Sequence, residues 1–312
     1  MRRILVHFFF VTFSASAMAC SGSGPCAVGH VWSGKPTGKN ERCEDFRREN
    51  CRQSFRLASL SLSTPTSPPS KPRPPPLHSL AGLDTYVALP PDNRPPKGVV
   101  LLVTDIFGAD RKNPKLWADR LAAAGGDLAV VMPDFFRGDA WPADAALSPD
   151  GFKAWLAKHP RERVLPEARA AVEEAAKKFS PNPLPVSAVG FCWGALYATL
   201  LAGGPNPAVA SAALLHPSLL TLPDFEAVQA APLLVLFTAN DQQVSDAFRA
   251  EIVEVLDAKN KAGKPATAHH FYSDQAHGFS LRGDDTDAKV AAAAGDAFDR
   301  TAAWLKEHGT AK

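Results

Sequence analysis

From Leu83 onward, short aliphatic or β-branched runs alternate with longer alanine-rich segments, a texture that points to strands and helices in turn. The apolar runs predict strands at 85–89, 99–104, 128–132, 185–190, 210–215, 233–239 and 269–272. Most are apolar without interruption, as parallel strands covered on both faces must be. Periodic segments predict helices at 116–124, 152–158, 163–179, 195–202, 245–261 and 288–308. In the fifth, Phe248, Ile252, Val255 and Leu256 recur at spacings of three and four, leaving most charges on the opposite side. Pro133, Pro217 and Gly278 punctuate element ends. The expected architecture is α/β: a doubly wound, mostly parallel sheet with helices on both faces.

The first 76 residues have a different texture. Arg2 and Arg3, the apolar run 4–13 and Ala17-Met18-Ala19 carry the three regions of a secretory signal peptide, and the run is too short to span a bilayer. His7 interrupts it and Met18 offers a second start, so residues 1–19 read either as a signal peptide or as an upstream extension of the gene model. The product is then secreted or cytoplasmic, respectively. Residues 40–76 mix charge clusters with Cys43 and Cys51 and end in a stretch, 63–76, in which half the positions are proline. Such a stretch favours polyproline II over a packed element, so 40–76 reads as a disordered, proline-rich insertion and 77–312 as the α/β domain.

Composition narrows the function. With 46% hydrophobic and 21% charged residues in 312, the chain is globular, and a net charge of +2 without a basic stripe argues against nucleic acid as partner. Of five cysteines only Cys192 lies beyond residue 51; Cys20, Cys26, Cys43 and Cys51 lack zinc spacing, and no metal or other cofactor is expected.

Cys192 stands at the centre of Gly190-Phe191-Cys192-Trp193-Gly194, directly after an apolar strand and before an alanine-rich helix. This is the form of a nucleophile elbow, whose sharp strand-to-helix turn requires small flanking residues and exposes the central side chain at a helix N-terminus, where negative charge is favoured. A buried structural cysteine between chance glycines is the competing explanation. Such an elbow needs an acid and then a histidine at later strand ends. Asp241 follows the 233–239 run, 49 residues after Cys192, and His277 follows the last strand 36 residues further on. His216 also ends a strand but precedes Asp241, out of that order; His269 and His270 fall inside a strand, and Asp274 lies on the His277 loop, where it can cap a turn.

The elbow, together with residues 103–108 (Val-Thr-Asp-Ile-Phe-Gly), 132–139 (Met-Pro-Asp-Phe-Phe-Arg-Gly-Asp) and His277-Gly278-Phe279, resembles the dienelactone hydrolase family of α/β hydrolases in its fungal-type branch. The resemblance covers about residues 77–308, and 29–38 is similar to the family's N-terminal hairpin, within 20–39. It implies Cys192 as nucleophile, His277 as general base and acid, and Asp241 as the residue that orients the imidazole. It implies backbone donors at Ile106 and Trp193 for an oxyanion, and Asp105 in the place of a thiol-activating glutamate, one methylene shorter. Arg137 and Arg282, each one residue off the bacterial spacing, and Phe107 would meet the substrate. The implied activity is hydrolysis of a small-molecule lactone or ester through an acyl-thioester, by a monomer or small homo-oligomer without membrane attachment. The alternative is a catalytically silent or redox-regulated ligand-binding member of the same fold.

Overall fold

In the computed structural model, which describes Trp32 and residues 34–37, 39–41, 79–263 and 265–310, eight strands build one sheet. The strands are β1 (Lys39–Glu41), β2 (Thr85–Ala88), β3 (Gly98–Val103), β4 (Leu128–Pro133), β5 (Val186–Phe191), β6 (Ala212–Leu215), β7 (Leu233–Thr238) and β8 (Thr267–Tyr272). The helices are α1 (Lys112–Ala123), α2 (Pro149–Lys158), α3 (Arg161–Lys178), α4 (Trp193–Ala202), α5 (Leu222–Glu226), α6 (Asp246–Lys261), α7 (Phe279–Arg282) and α8 (Ala288–His308). The leader expected at 1–19 and residues 42–76 of the expected insertion lie outside the described residues.

The strand order is β1-β2-β4-β3-β5-β6-β7-β8, with β2 antiparallel to both neighbours and every other pair parallel. From β3 the chain winds one way to β4 and the other way to β5 and beyond. The carboxyl ends of β3 and β5 therefore flank a topological switch point, where the loops diverge and leave a crevice.

Alternation along the strands divides the core in two. Val99, Leu101 and Val103 of β3 join one cluster, Val100 and Leu102 the other. On the first face α3 buries Val164, Ala168, Ala171 and Ala175, small side chains at helical spacing that let the helix approach the sheet closely. Beside it α4 is buried nearly all round, which its uniformly apolar sequence permits. On the second face Trp117 of α1 is fully buried and meets Phe191 of β5 and Phe298 of α8 edge-on, each ring centroid 5.0 Å away.

Several elements depart from the pattern reading. Helix α1 starts four residues earlier than 116 because Pro114 falls in its first turn, where a missing N–H costs nothing. Strand β8 begins at Thr267, with His269 and His270 in its interior. Asn40 and Glu41, assigned to the insertion, pair with Tyr86 and Thr85 as the edge strand β1. Three residues at an edge are too few to show a period. Helix α7, four residues long, is likewise invisible to periodicity.

Two glycines make opposite demands. A Cβ on Gly98 would overlap the backbone carbonyl of Gly309, where the end of α8 rests on β3, whereas nothing lies within 4 Å of a Cβ built on Gly295 in α8. Gly98→Ala is expected to cost about 1–3 kcal/mol by overpacking. Gly295→Ala should add about 0.5–1 kcal/mol by removing a helix-interior glycine. Urea denaturation checks both signs.

Candidate active site

The elbow is built by close approach of backbone. A Cβ on Gly190 would lie 2.5 Å from the carbonyl oxygen of Gly194 and 2.6 Å from Cα of Ala195; one on Gly194 would overlap the carbonyl of Val103 and lie 2.7 Å from that of Thr104. Only glycine fits at either position. Between them Cys192 takes φ 52° and ψ −113°, a conformation that L-residues avoid. It is held there by its N–H on the Leu215 carbonyl at 3.0 Å and by its own carbonyl, which accepts from Ala195 and Ser218 at 3.1 and 3.2 Å. The thiol thus sits at the N-terminus of α4, and the Ser218 hydroxyl lies 3.5 Å from Sγ.

Asp241 and His277 arrive from neighbouring strand ends. His277 Nδ1 lies 2.8 Å from Asp241 Oδ2, which also accepts from the Thr238 hydroxyl at 2.9 Å, while Oδ1 accepts from the Gln243 amide at 2.8 Å. An ionised carboxylate only accepts, so Nδ1 carries a proton. Burial raises the Asp241 pKa, but its bond to His277, that ring's charge and the other donors together hold it below the ordinary carboxylate value. Nε2 of His277 is buried, makes no hydrogen bond of ordinary geometry among the described residues, and is coupled to Cys192.

That coupling sets the protonation of both groups. Burial pushes the Cys192 thiol up, yet the charge and hydrogen bonding of His277 outweigh it, and the thiol lies below its ordinary value; Asp105 opposes the thiolate and Ser218 supports it. Burial likewise disfavours the His277 imidazolium, but the thiolate and Asp241 hold its pKa above the ordinary value. The resting pair leans toward thiolate and imidazolium.

Asp105, buried after β3, accepts from Arg282 Nε at 2.9 Å and from the Phe107 amide at 3.1 Å. The Arg282 guanidinium lies 4.8 Å from the centre of the Phe107 ring and so close over Gly278 that a Cβ there would overlap it. Among the described residues, the amides of Ile106 and of Trp193, the first residue of α4, donate no hydrogen bond to a turn, loop or cap. The guanidinium of Arg137, half exposed, pairs with Glu167 of α3 at 2.9 Å. Asp274 is exposed on its turn.

His216, the rival histidine, is fully buried behind the site. Its ring centre is 5.0 Å from that of His277, and its Nε2 lies 2.8 Å from the Ser280 hydroxyl. Burial, reinforced by the charges of His277 and Arg282, pushes its pKa well below the ordinary value and keeps it neutral. Sequence reasoning missed Ser218, Thr238 and Gln243 as neighbours of these groups; Ser218 carried a readable signal, since it follows β6, the strand next to the elbow.

The pattern that defines the Dienelactone hydrolase family matches residues 83–309. Hydrolase tropI of Talaromyces stipitatus is 29% identical over 268 residues, covering 83% of this chain and 95% of that protein. Among solved structures, a dienelactone hydrolase-like promiscuous phosphotriesterase from metagenomic libraries superposes with a TM-score of 0.55 at 21% identity, over 73% of this chain and 93% of that one. A thermophilic esterase of Thermogutta terrifontis does so with a TM-score of 0.52 at 15% identity, over 72% and 89%. The fold is that of α/β hydrolases.

The electrostatics fix the reactivity of the thiol and the direction of two substitutions. Iodoacetamide should alkylate Cys192 with a midpoint pH below that of free cysteine, because the imidazolium stabilises the thiolate. His277→Ala should move that midpoint up, since burial and Asp105 are then no longer outweighed, and Asp105→Asn should move it down by removing a repelling charge. Mass-spectrometric labelling of Cys192 across pH measures each shift.

Proposed function

Because the chain belongs to the dienelactone hydrolase family of hydrolases, we propose that it cleaves a lactone or ester through a cysteine-bound acyl-thioester. The observation that carries this reading is the strained Cys192 at a helix N-terminus, coupled to an imidazole whose far nitrogen is anchored on Asp241.

The Cys192 thiolate attacks the carbonyl carbon, and the amides of Ile106 and Trp193 receive the developing oxyanion; each such donor typically contributes about 3–4 kcal/mol. As the carbon–oxygen bond to the alcohol breaks, His277 Nε2 gives its proton to the leaving alkoxide. The acyl group is then held as a thioester. His277, now neutral at Nε2, takes a proton from water, whose oxygen bonds the acyl carbon while the carbon–sulfur bond breaks and the thiolate and imidazolium return. Asp241 keeps the ring in one tautomer and compensates its charge throughout. Amides are poor substrates on this scheme, because the tetrahedral intermediate expels the thiolate more readily than the amine.

Asp105 and Arg282 add a charge-sensitive element. An acyl group bearing its own carboxylate competes with Asp105 for Arg282.

Hydrolysis of p-nitrophenyl acetate should show a burst of one equivalent of nitrophenol, lost in Cys192→Ala; an unchanged rate in that variant would sink the reading. Asp241→Asn should slow acylation by up to about 10⁴-fold, the effect of converting a triad acid to its amide, discounted because a thiol is intrinsically more acidic than serine. Asp274→Asn should cost far less. Stopped-flow acylation rates rank the two.

A further inference from the structure

Helix α7 spans only Phe279–Arg282, too short to hold itself, yet it carries the guanidinium that grips Asp105. Two of its carbonyls and the one just beyond it are held from outside. The Trp117 indole N–H donates to Ser280 O at 2.7 Å, the Asn113 side-chain amide to Leu281 O at 2.7 Å and the Trp32 indole N–H to Gly283 O at 3.0 Å. Asn113 is in turn oriented by Trp32, whose backbone N–H donates to its Oδ1 at 2.9 Å and so aims its amide nitrogen at Leu281. Trp32 therefore acts twice, once directly and once through Asn113. It lies outside residues 83–309, the stretch that matches the family pattern, and its ring is buried in the core on the α1 face.

We propose that Trp32 is a positioning residue for Arg282: through Gly283 and Asn113 it fixes the rotation of α7, which keeps the guanidinium on Asp105 and so governs how strongly Asp105 opposes the Cys192 thiolate. The site then depends on a residue that precedes the proline stretch at 63–76 by more than thirty positions in the chain. The proposal rests on the hydrolase reading only for its consequence in catalysis; the clamp and its effect on the thiol stand without turnover.

The test uses the full chain with Trp32→Phe, which keeps an aromatic ring and deletes the indole N–H. Amide hydrogen exchange should speed up at Leu281, Arg282 and Gly283 by about five-fold, the equivalent of one neutral hydrogen bond. The pH midpoint for alkylation of Cys192 should rise as Asp105 loses its partner, and that rise should vanish when Trp32→Phe is combined with Asp105→Asn. Asn113→Asp, which keeps the acceptor for Trp32 and loses the donor to Leu281, should reproduce both effects and serves if Trp32→Phe does not fold. Exchange that is unchanged at 281–283, or faster across the whole sheet, overturns the proposal. So does a midpoint that stays put, or one that still rises in the Asp105→Asn background. If the shifts occur in a protein that does not hydrolyse esters, the clamp stands and the proposed function fails.

Discussion

The crossing of backbone at Gly190, Cys192 and Gly194 is the constraint on which the site depends. Strand β5 turns into α4 so tightly that Gly194 rests against the carbonyls that end β3, and no side chain fits between them. The strain in Cys192 persists because its N–H donates to β6 and its carbonyl accepts from Ser218, which holds the peptide units on either side of it. Once this turn is made, the thiol stands at the switch point of the sheet, and every later strand delivers its carboxyl end to the same crevice.

Charge along that crevice alternates. Asp241, the His277 ring, the Cys192 sulfur, Arg282 and Asp105 form two chains of partners: an acid on the imidazole and an acid on the guanidinium, with the thiol between. Buried charges of this kind persist only when paired and hydrogen-bonded, and both carboxylates are. His216, wedged behind His277 and kept neutral, adds bulk without adding charge. This division explains why one histidine of an adjacent pair is charged at rest and the other is not: only His277 has a carboxylate on one nitrogen and a thiol facing the other.

The second dependence runs from the N-terminal side. A four-residue helix offers too few internal hydrogen bonds for its own stability, so its orientation is borrowed from α1 and from Trp32. Thr37 adds a further tie, its amide donating to Asp119 of α1 at 2.5 Å, and Lys39–Glu41 extend the sheet beyond β2. Residues that precede the hydrolase domain in sequence are thus part of the frame that holds its site.

The sequence by itself determined the parallel sheet, its longer helices, the elbow and the order in which Cys192, Asp241 and His277 follow their strands. These are written in local terms: apolar runs longer than any turn, glycines at fixed offsets, polar residues directly after strands. Tertiary structure alone decided that Arg282 grips Asp105 across 177 positions, that Arg137 turns to Glu167, that His216 is a neutral wedge, and that Trp32 reaches Gly283 across 251. Partner choice at such separations depends on which loops the sheet brings together and on which polar group is left unpaired when they meet, and neither quantity leaves a periodic trace in the chain.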